Sequence, residues 1–435
     1  MHRANWLLSE KYTKSNDRIL FTTFTVNLAA DLRENLKKIC SRDVLERIKV
    51  VNLDKWVTDF LKSNGYEYQI EYNGKGTEEW SQAMDYYEGS DFDENFIRTE
   101  FENVILENNV QSLKQYIRTP RVGRGRRMSR GQKKELWPIF KEYRRFLEMN
   151  NKKERIDTFR DAKSILQEKG DILPYRTIIV DEAQDFGNAE FKLIRQMIPE
   201  SRTEDELKND IFIVGDAHQR IYGNKVVLSH CGIEIRGRSH RLKINYRTTE
   251  ENKNWAVSIL EDEEYDDLDE GKDTHQGYRS IFHGVKPEVI NFDHHDEEID
   301  FIVKSLKNIS DEDGGLKSTC LVTRTHKLLM EYEKSLNERG IDTYEIHRGK
   351  SEDRAEEGIR LATMHRVKGL EFNYVFIASA NDRYIPLKYV LENKETQHAK
   401  AEAEKLERSL LYVAATRARK QVYVTSYGEM SRFLK

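Results

Sequence analysis

The chain has 435 residues, 34% of them charged, with a mean hydropathy of −0.78 and a formal net charge of −4. That length predicts two to four domains with sizeable cores. No apolar run approaches the roughly 20 residues that span a bilayer, and no basic-then-apolar leader opens the chain. A balance this close to neutral leaves any nucleic-acid partner to local patches rather than to a whole-protein field. Cys40, Cys231 and Cys320 are odd in number and far apart. They suggest no disulfide framework or metal cluster, and predict structural thiols in a reducing cytoplasm, while the lack of a spanning run predicts no membrane partner.

In chain order, Met1–Glu10 places Ala4, Leu7 and Leu8 at helical spacing with no capping residue before them. Arg18–Thr22 and Lys49–Leu53 read as buried strands around a helical Ala29–Ile39, the alternation of a parallel α/β sheet. From about Tyr66 to Asn150 strand-like runs are scarce, and a helix is predicted from Gln132 to Met149. This stretch reads as a helical insertion. Within it, six arginines fall between Arg118 and Arg130. They could contact phosphates, but pairing with the many local acids is the favoured reading, because charge runs usually form solvated faces.

Strands resume at Thr177–Val180 and Ile211–Val214. A second α/β unit follows Tyr246, with strands at Val289–Phe292, Cys320–Thr323, Ile359–Thr363, Tyr374–Ser379 and Gln421–Thr425. Glu261–Glu270 carries eight acids in ten residues and reads as a solvated loop. The expected architecture is therefore α/β: a first parallel-sheet domain over 1–65 and 151–241, its helical insertion over 66–150, and a second parallel-sheet domain over 242–435.

The chemistry concentrates at Val180–Asp185, V-D-E-A-Q-D. Two adjacent carboxylates at the end of a buried strand suit Mg²⁺ binding and activation of a water beside a nucleotide. Taken alone, Asp181 and Glu182 could equally be a solvated strand end. The usual companion, G-x-x-x-x-G-K-[ST], occurs nowhere in the 435 residues. Gly74-Lys75-Gly76-Thr77 lacks the upstream glycine, and Gly314-Gly315-Leu316-Lys317-Ser318 has leucine where a glycine is needed.

Six strings follow in order: I-L-F-T-T-F-T-V-N-L-A-A-D-L from Ile19, V-D-E-A-Q-D, V-G-D-A-H-Q-R-I-Y from Val214, L-K-I-N-Y-R-T-T from Leu242, L-A-T-M-H-R-V-K-G-L-E-F from Leu361, and L-L-Y-V-A-A-T-R-A-R from Leu410. The series resembles the superfamily 1 DNA helicases of the UvrD/Rep/PcrA kind, across nearly the whole chain. The resemblance implies two RecA-like domains with ATP and Mg²⁺ between them. It implies that Asp181 holds Mg²⁺, Glu182 activates water, Gln219 senses the γ-phosphate, Tyr246 stacks on adenine, and Arg247 and Arg417 reach the γ-phosphate. Glu371 would touch the ribose, with Lys368 also assigned to the nucleotide.

For single-stranded or partly duplex DNA the resemblance points to Phe24, Thr25, Asn27, Tyr222 and His365, with movement usually 3′ to 5′. The duller alternatives are that Phe24 and Tyr222 pack in the core and that His365 and His218 are satisfied polar residues.

The sequence departs from the family in three places. Gly223-Asn224-Lys225 follows Tyr222 where an aromatic and an arginine are common, which puts one stacking platform in doubt. The second domain leaves no room for a large extra insertion. Met1–Leu8 looks like the family's helix entered just after its G-K-T, so the phosphate loop and its strand are expected to be missing. The first domain is then expected to fold poorly, because strands beside the missing one would lose ladder partners. This chain alone is not expected to hydrolyse ATP. Two further readings stay open: a non-hydrolysing nucleic-acid-binding or regulatory remnant, and a motor completed by a partner chain.

Overall fold

The computed structural model describes all residues except 73–76, 90, 122–123, 125, 199–209, 222–225, 261–264, 267–271, 274–276, 311–314, 348–355 and 393–396, and the side chains of Asn27 and of 265–266 and 272–273. The first half carries β1 (Arg18–Thr23), β2 (Ile48–Asn52), β3 (Gln69–Glu71), β4 (Lys152–Glu154), β5 (Tyr175–Val180) and β6 (Ile211–Ile213). The second carries β7 (Ile244–Thr249), β8 (Tyr265–Asp266), β9 (Lys272–Asp273), β10 (Arg279–Phe282), β11 (Glu288–Phe292), β12 (Thr319–Thr323), β13 (Thr343–Glu345), β14 (Ile359–Thr363), β15 (Phe372–Ile377) and β16 (Ala418–Tyr427).

Two parallel sheets dominate, in the orders β2-β1-β5-β6 and β11-β16-β15-β12-β14-β13. Strands buried on both faces need continuous apolar runs, and β5 and β12 supply them as Y-R-T-I-I-V and T-C-L-V-T. This is the α/β class with parallel sheets that the alternating pattern predicts. In the first sheet β1 pairs on both sides, with β2 and β5, so no gap opens inside the ladder. Among the described residues β6 pairs with β5 alone, and Phe212 and Val214 are 42% and 41% exposed there.

Helices form where capping residues start them. Thr25 accepts from the Leu28 amide to begin Val26–Ile39, and Asn52 starts Leu53–Ser63. Leu53, read as the last strand residue, is instead the first helical one. Arg130–Met149 opens on a capping box between Ser129 and Gln132.

The helices from Glu78 to Met149 share their own core, around Trp80, Phe101, Phe140 and Tyr143. Strands β3 and β4 lie side by side at its two ends. The arginine run serves this layer: Arg121 and Arg124 both pair with the fully buried Glu100, and Arg126 lies over Phe92. Pairing with an acid, as expected, is what the structure gives Arg121 and Arg124, while Arg126 is held by the Phe92 ring and the Asp91 carbonyl. Most of the acidic Glu261–Glu270 stretch lies outside the described residues, apart from the short β8, which pairs antiparallel with β9.

Candidate active site between the two sheets

The carboxyl end of β5 presents the carboxylates. The Asp181 amide donates to Thr22 O at 2.9 Å, and the Val214 amide to Val180 O at 2.8 Å, which ties β1, β5 and β6 together where the loops begin. Glu182 then adopts a left-handed backbone, φ 53° and ψ 41°. A non-glycine residue held there is strained by roughly 1–3 kcal/mol and persists only where its surroundings over-determine it. Here the Asp181 carboxylate accepts from the Glu182 amide at 3.1 Å. Gln184 donates to Glu182 Oε2 at 2.6 Å and accepts from the Asp216 amide at 3.0 Å.

Burial, and then the Glu182 charge, push the Asp181 carboxyl up to about 6. Two close carboxylates that resist ionising together are the donor set a hard cation would relieve. Among the described residues no group of three or more His, Cys, Asp or Glu could hold a metal. Mg²⁺ at Asp181 would therefore take its remaining ligands from water and phosphate, as that ion commonly does. The site's residues fit it.

The second sheet sends the opposite charges. Arg417, at 1% exposure, donates from Nε to Val413 O and from Nη2 to Gln219 Oε1, both at 2.9 Å. Burial, then its neighbour Arg247, lower it to about 10, so it stays charged at neutral pH. Gln219 donates from Nε2 to Asp216 at 2.9 Å, which leaves its carbonyl oxygen facing the arginine. His218 holds the same Asp216 through Nδ1 at 3.0 Å. Burial favours a neutral Asp216, but these bonds outweigh it and keep the carboxyl low.

Arg247 Nε meets Glu371 Oε1 at 2.6 Å, and Arg419 grips the other Glu371 oxygen. Burial would raise Glu371, yet Arg247, Arg419 and Arg417 hold it below the usual range. Tyr246 is 68% exposed on β7, with its ring free to stack. Lys368 is buried. Its ammonium contacts Asp185 at 2.7 Å and Gln219 O at 2.5 Å, and lies 3.9 Å from Glu182.

The structure thus brings Asp181, Glu182, Gln219, Arg247, Arg417, Glu371 and Lys368 to one cleft. Sequence reasoning assigned nothing to Asp185 or Arg419, although both sit inside quoted strings. Their one signal was charge within a motif.

On the proposed nucleic-acid side, Phe24 stands edge-on to Phe186 at 5.8 Å and packs on the first core. The inward reading therefore describes at least part of its ring. Thr25 caps its helix. The side chain of Asn27, and Tyr222 altogether, lie outside the described residues. A Cβ on Gly369 would sit 3.8 Å from Leu28 Cδ1, so the loop after β14 reaches the helix that Thr25 starts.

Burial, then the Arg324 charge, lower the His365 imidazole to about 4. It is neutral at pH 7 and no phosphate-binding cation. Because the folded value lies below the unfolded one, its contribution is full above about pH 6.5 and is lost as pH falls towards 4. Between pH 7 and 5, wild type is expected to lose about 1–2 kcal/mol more than His365→Asn in urea titrations, allowing for a half-buried ring. Equal losses would refute this.

The UvrD/REP helicase N-terminal domain family matches residues 1–226, and the UvrD-like helicase C-terminal domain family matches 240–356 and 345–429. The Bacillus subtilis protein YjcD is 43% identical over 70 residues, covering 16% of this chain and 9% of that protein. The Probable DNA helicase of Mycoplasma pneumoniae is 22% identical over 458 aligned positions, covering 100% of this chain and 80% of that protein. The ATP-dependent DNA helicase Rep of Salmonella typhimurium is 31% identical over 93 residues, 20% of this chain and 12% of Rep. The chain thus spans about a tenth of YjcD and of Rep in these matches.

Among solved structures, the C-terminal domain of a possible DNA helicase from Lactobacillus plantarum matches at a TM-score of 0.31 and 21% identity, over 44% of this chain and 92% of that one. That likeness is too slight to bear on the fold. No helix among the described residues is long and apolar enough to cross a membrane. With more than half of its residues matched by the N-terminal family and most of the remainder by the C-terminal one, the chain belongs to the UvrD/Rep helicase family.

Proposed function

We propose that this chain is the bulk of an ATP-driven, Mg²⁺-dependent DNA helicase or single-strand translocase, with two RecA-like domains over 1–65 plus 151–241 and over 242–435, an insertion over 66–150, and a cytoplasmic setting. The observation that carries the reading is the 2.9 Å bond between Arg417 and Gln219, which joins the last motif to the loop beside the two carboxylates. A charge change in the cleft is thereby coupled to how the two sheets sit.

Bound Mg²⁺·ATP supplies an electrophilic phosphorus whose leaving group is already neutralised. In this reading Asp181 orients the cation's water shell. Glu182 accepts the proton of the attacking water at its carboxylate. Arg247 and Arg417 contact phosphate oxygens, for which a planar, permanently charged guanidinium is suited. Glu371 and Arg419 position Arg247, and Tyr246 stacks on the base. Phe24, Thr25, Asn27, Tyr222 and His365 are the proposed contacts to single-stranded DNA, and these assignments, like movement 3′ to 5′, rest on resemblance alone.

The β- and γ-phosphate cradle is proposed to come from a segment outside these 435 residues that adds a strand beside β6. The support is the missing G-x-x-x-x-G-K-[ST] string together with the open, apolar-flanked β6 edge, since unpaired edges recruit strands. The same missing string favours a second reading, a non-hydrolysing nucleic-acid-binding remnant.

Hydrolysis stimulated by single-stranded DNA is the discriminating measurement, made on this chain alone and on the chain extended in frame upstream of the Met1 codon. Activity of the extended form supports the motor, activity of the chain alone removes the need for an added cradle, and inactivity of both leaves the remnant. In an active form, Glu182→Gln is expected to cost roughly 10²–10⁴-fold in turnover while ATP binding persists. Turnover close to wild type would overturn the role given to Glu182.

A further inference from the structure

Between Ile235 and Thr249 the sequence runs I-R-G-R-S-H-R-L-K-I-N-Y-R-T-T, with Lys or Arg at 236, 238, 241, 243 and 247 and no acid at all. In a chain whose net charge is −4 that is a local excess. Every residue from Arg236 to Ile244 is exposed.

Arg33 donates only to a backbone carbonyl, while Arg98, Arg121, Arg155, Arg195 and Arg324 are each ion-paired. Among the described residues Arg236, Arg238 and Lys243 have no such partner. The nearest acid in sequence, Glu234, accepts from the Arg236 backbone amide instead. The main chain is open here too, because nothing lies within 4 Å of where a Gly237 Cβ would be.

The segment leaves the first core at Cys231 and Ile233 and ends on β7. There Ile244 pairs with Arg279 of β10, and the Arg279 amide donates to Lys243 O, so a further exposed cation stands alongside. The strip therefore runs from the first core to the β7–β10 pair and leads to Arg247 in the cleft. Seven residues of extended chain reach at most about 25 Å, enough to follow several nucleic-acid phosphates.

We infer that Arg236, Arg238 and Lys243 form a phosphate-tracking strip for a nucleic-acid backbone, separate from the stacking positions already proposed. This rests on the nucleic-acid reading of the previous section. No Phe, Tyr or Trp lies between 236 and 243, so the strip is built to contact backbone charge, and its contribution is independent of sequence.

The test is the salt dependence of binding by the full chain and by Arg236→Gln/Arg238→Gln/Lys243→Gln, to oligo-dT and to a duplex of equal length. Each lost phosphate contact lowers the slope of log K against log salt by about 0.7 for single strands and about 0.9 for duplex. The triple variant is expected to lose about 2 from the single-strand slope, about 2.7 from the duplex slope, or both, and the affected arm identifies the form bound. A triple variant carrying Arg236→Lys, Arg238→Lys and Lys243→Arg is expected to retain the slope, since point charges suffice.

Wild-type binding with slopes unchanged in the glutamine variant overturns the strip alone. A slope lost equally in the charge-conserving variant overturns it as well. Absence of binding by the parent chain removes the nucleic-acid reading and the strip together.

Discussion

Arg417→Ala, made in a form that hydrolyses ATP, is expected to lower DNA-stimulated turnover by about 10³- to 10⁵-fold, the range of an arginine that stabilises transferring phosphate. The effect is large because the guanidinium is positioned before any nucleotide arrives. Val413 O holds Nε, while Gln219 Oε1 and Thr416 Oγ1 hold Nη2. Burial lowers the group only to about 10, so charge is retained where a lysine equally buried would be nearer to losing it. Arg417→Lys is accordingly expected to recover only part of the rate, having no fork to divide between phosphate and Gln219. Removing the arginine also leaves Gln219 Oε1 short of a donor, at about 1–3 kcal/mol of stability, so turnover has to be compared at equal folded fraction. A loss under tenfold in a folded, ATP-binding variant would show that Arg417 is a structural tie and nothing more.

Lys368→Met is expected to destabilise the protein by about 3–5 kcal/mol, because it strands a buried carboxylate. Asp185 is 2% exposed and its partner is the Lys368 ammonium at 2.7 Å. Burial already pushes the Asp185 carboxyl up to about 7 in spite of that cation. An acid whose folded value lies above its unfolded one is destabilising when ionised, and the penalty is relieved as pH falls towards the unfolded value. Without Lys368 the folded value rises further. The deficit should therefore be largest above pH 7 and shrink towards pH 5. Lys368→Met/Asp185→Leu, which replaces the pair by apolar groups, is expected to regain at least half of the loss. Denaturant titrations of the three proteins at pH 8 and pH 5 decide the matter. A single variant within 1 kcal/mol of wild type at pH 8 would mean that water reaches Asp185.

How far the chain could be read depended on the range of each interaction. The V-D-E-A-Q-D turn was legible because everything that defines it is local: an apolar strand, then carboxylates, on consecutive residues. The parallel-sheet class was legible for the same reason, since both halves alternate apolar runs with helical periodicity. Strand ends shifted by a residue or two, as at Leu53, where the Asn52 cap overrides the apolar run.

What stayed hidden is what only packing creates. Lys368 finds Asp185 across 183 positions, and Arg417 finds Gln219 across 198. Arg419 and Asp185 looked like passengers in strings whose other members carried the chemistry. The left-handed backbone of Glu182 has no signature in its residue type, because glutamate does not favour it. The arginines near Glu100 and those near Lys243 are alike as sequence. Burial of Glu100 made the first group a structural network, whereas Arg236 and Arg238, with no ion-pair partner among the described residues, stay open to solvent. Composition and local pattern determined which sheets this protein builds and where its carboxylates stand. Tertiary structure alone decided which charges are neutralised and which remain available, because pairing depends on distance in space and local sequence pattern does not encode it.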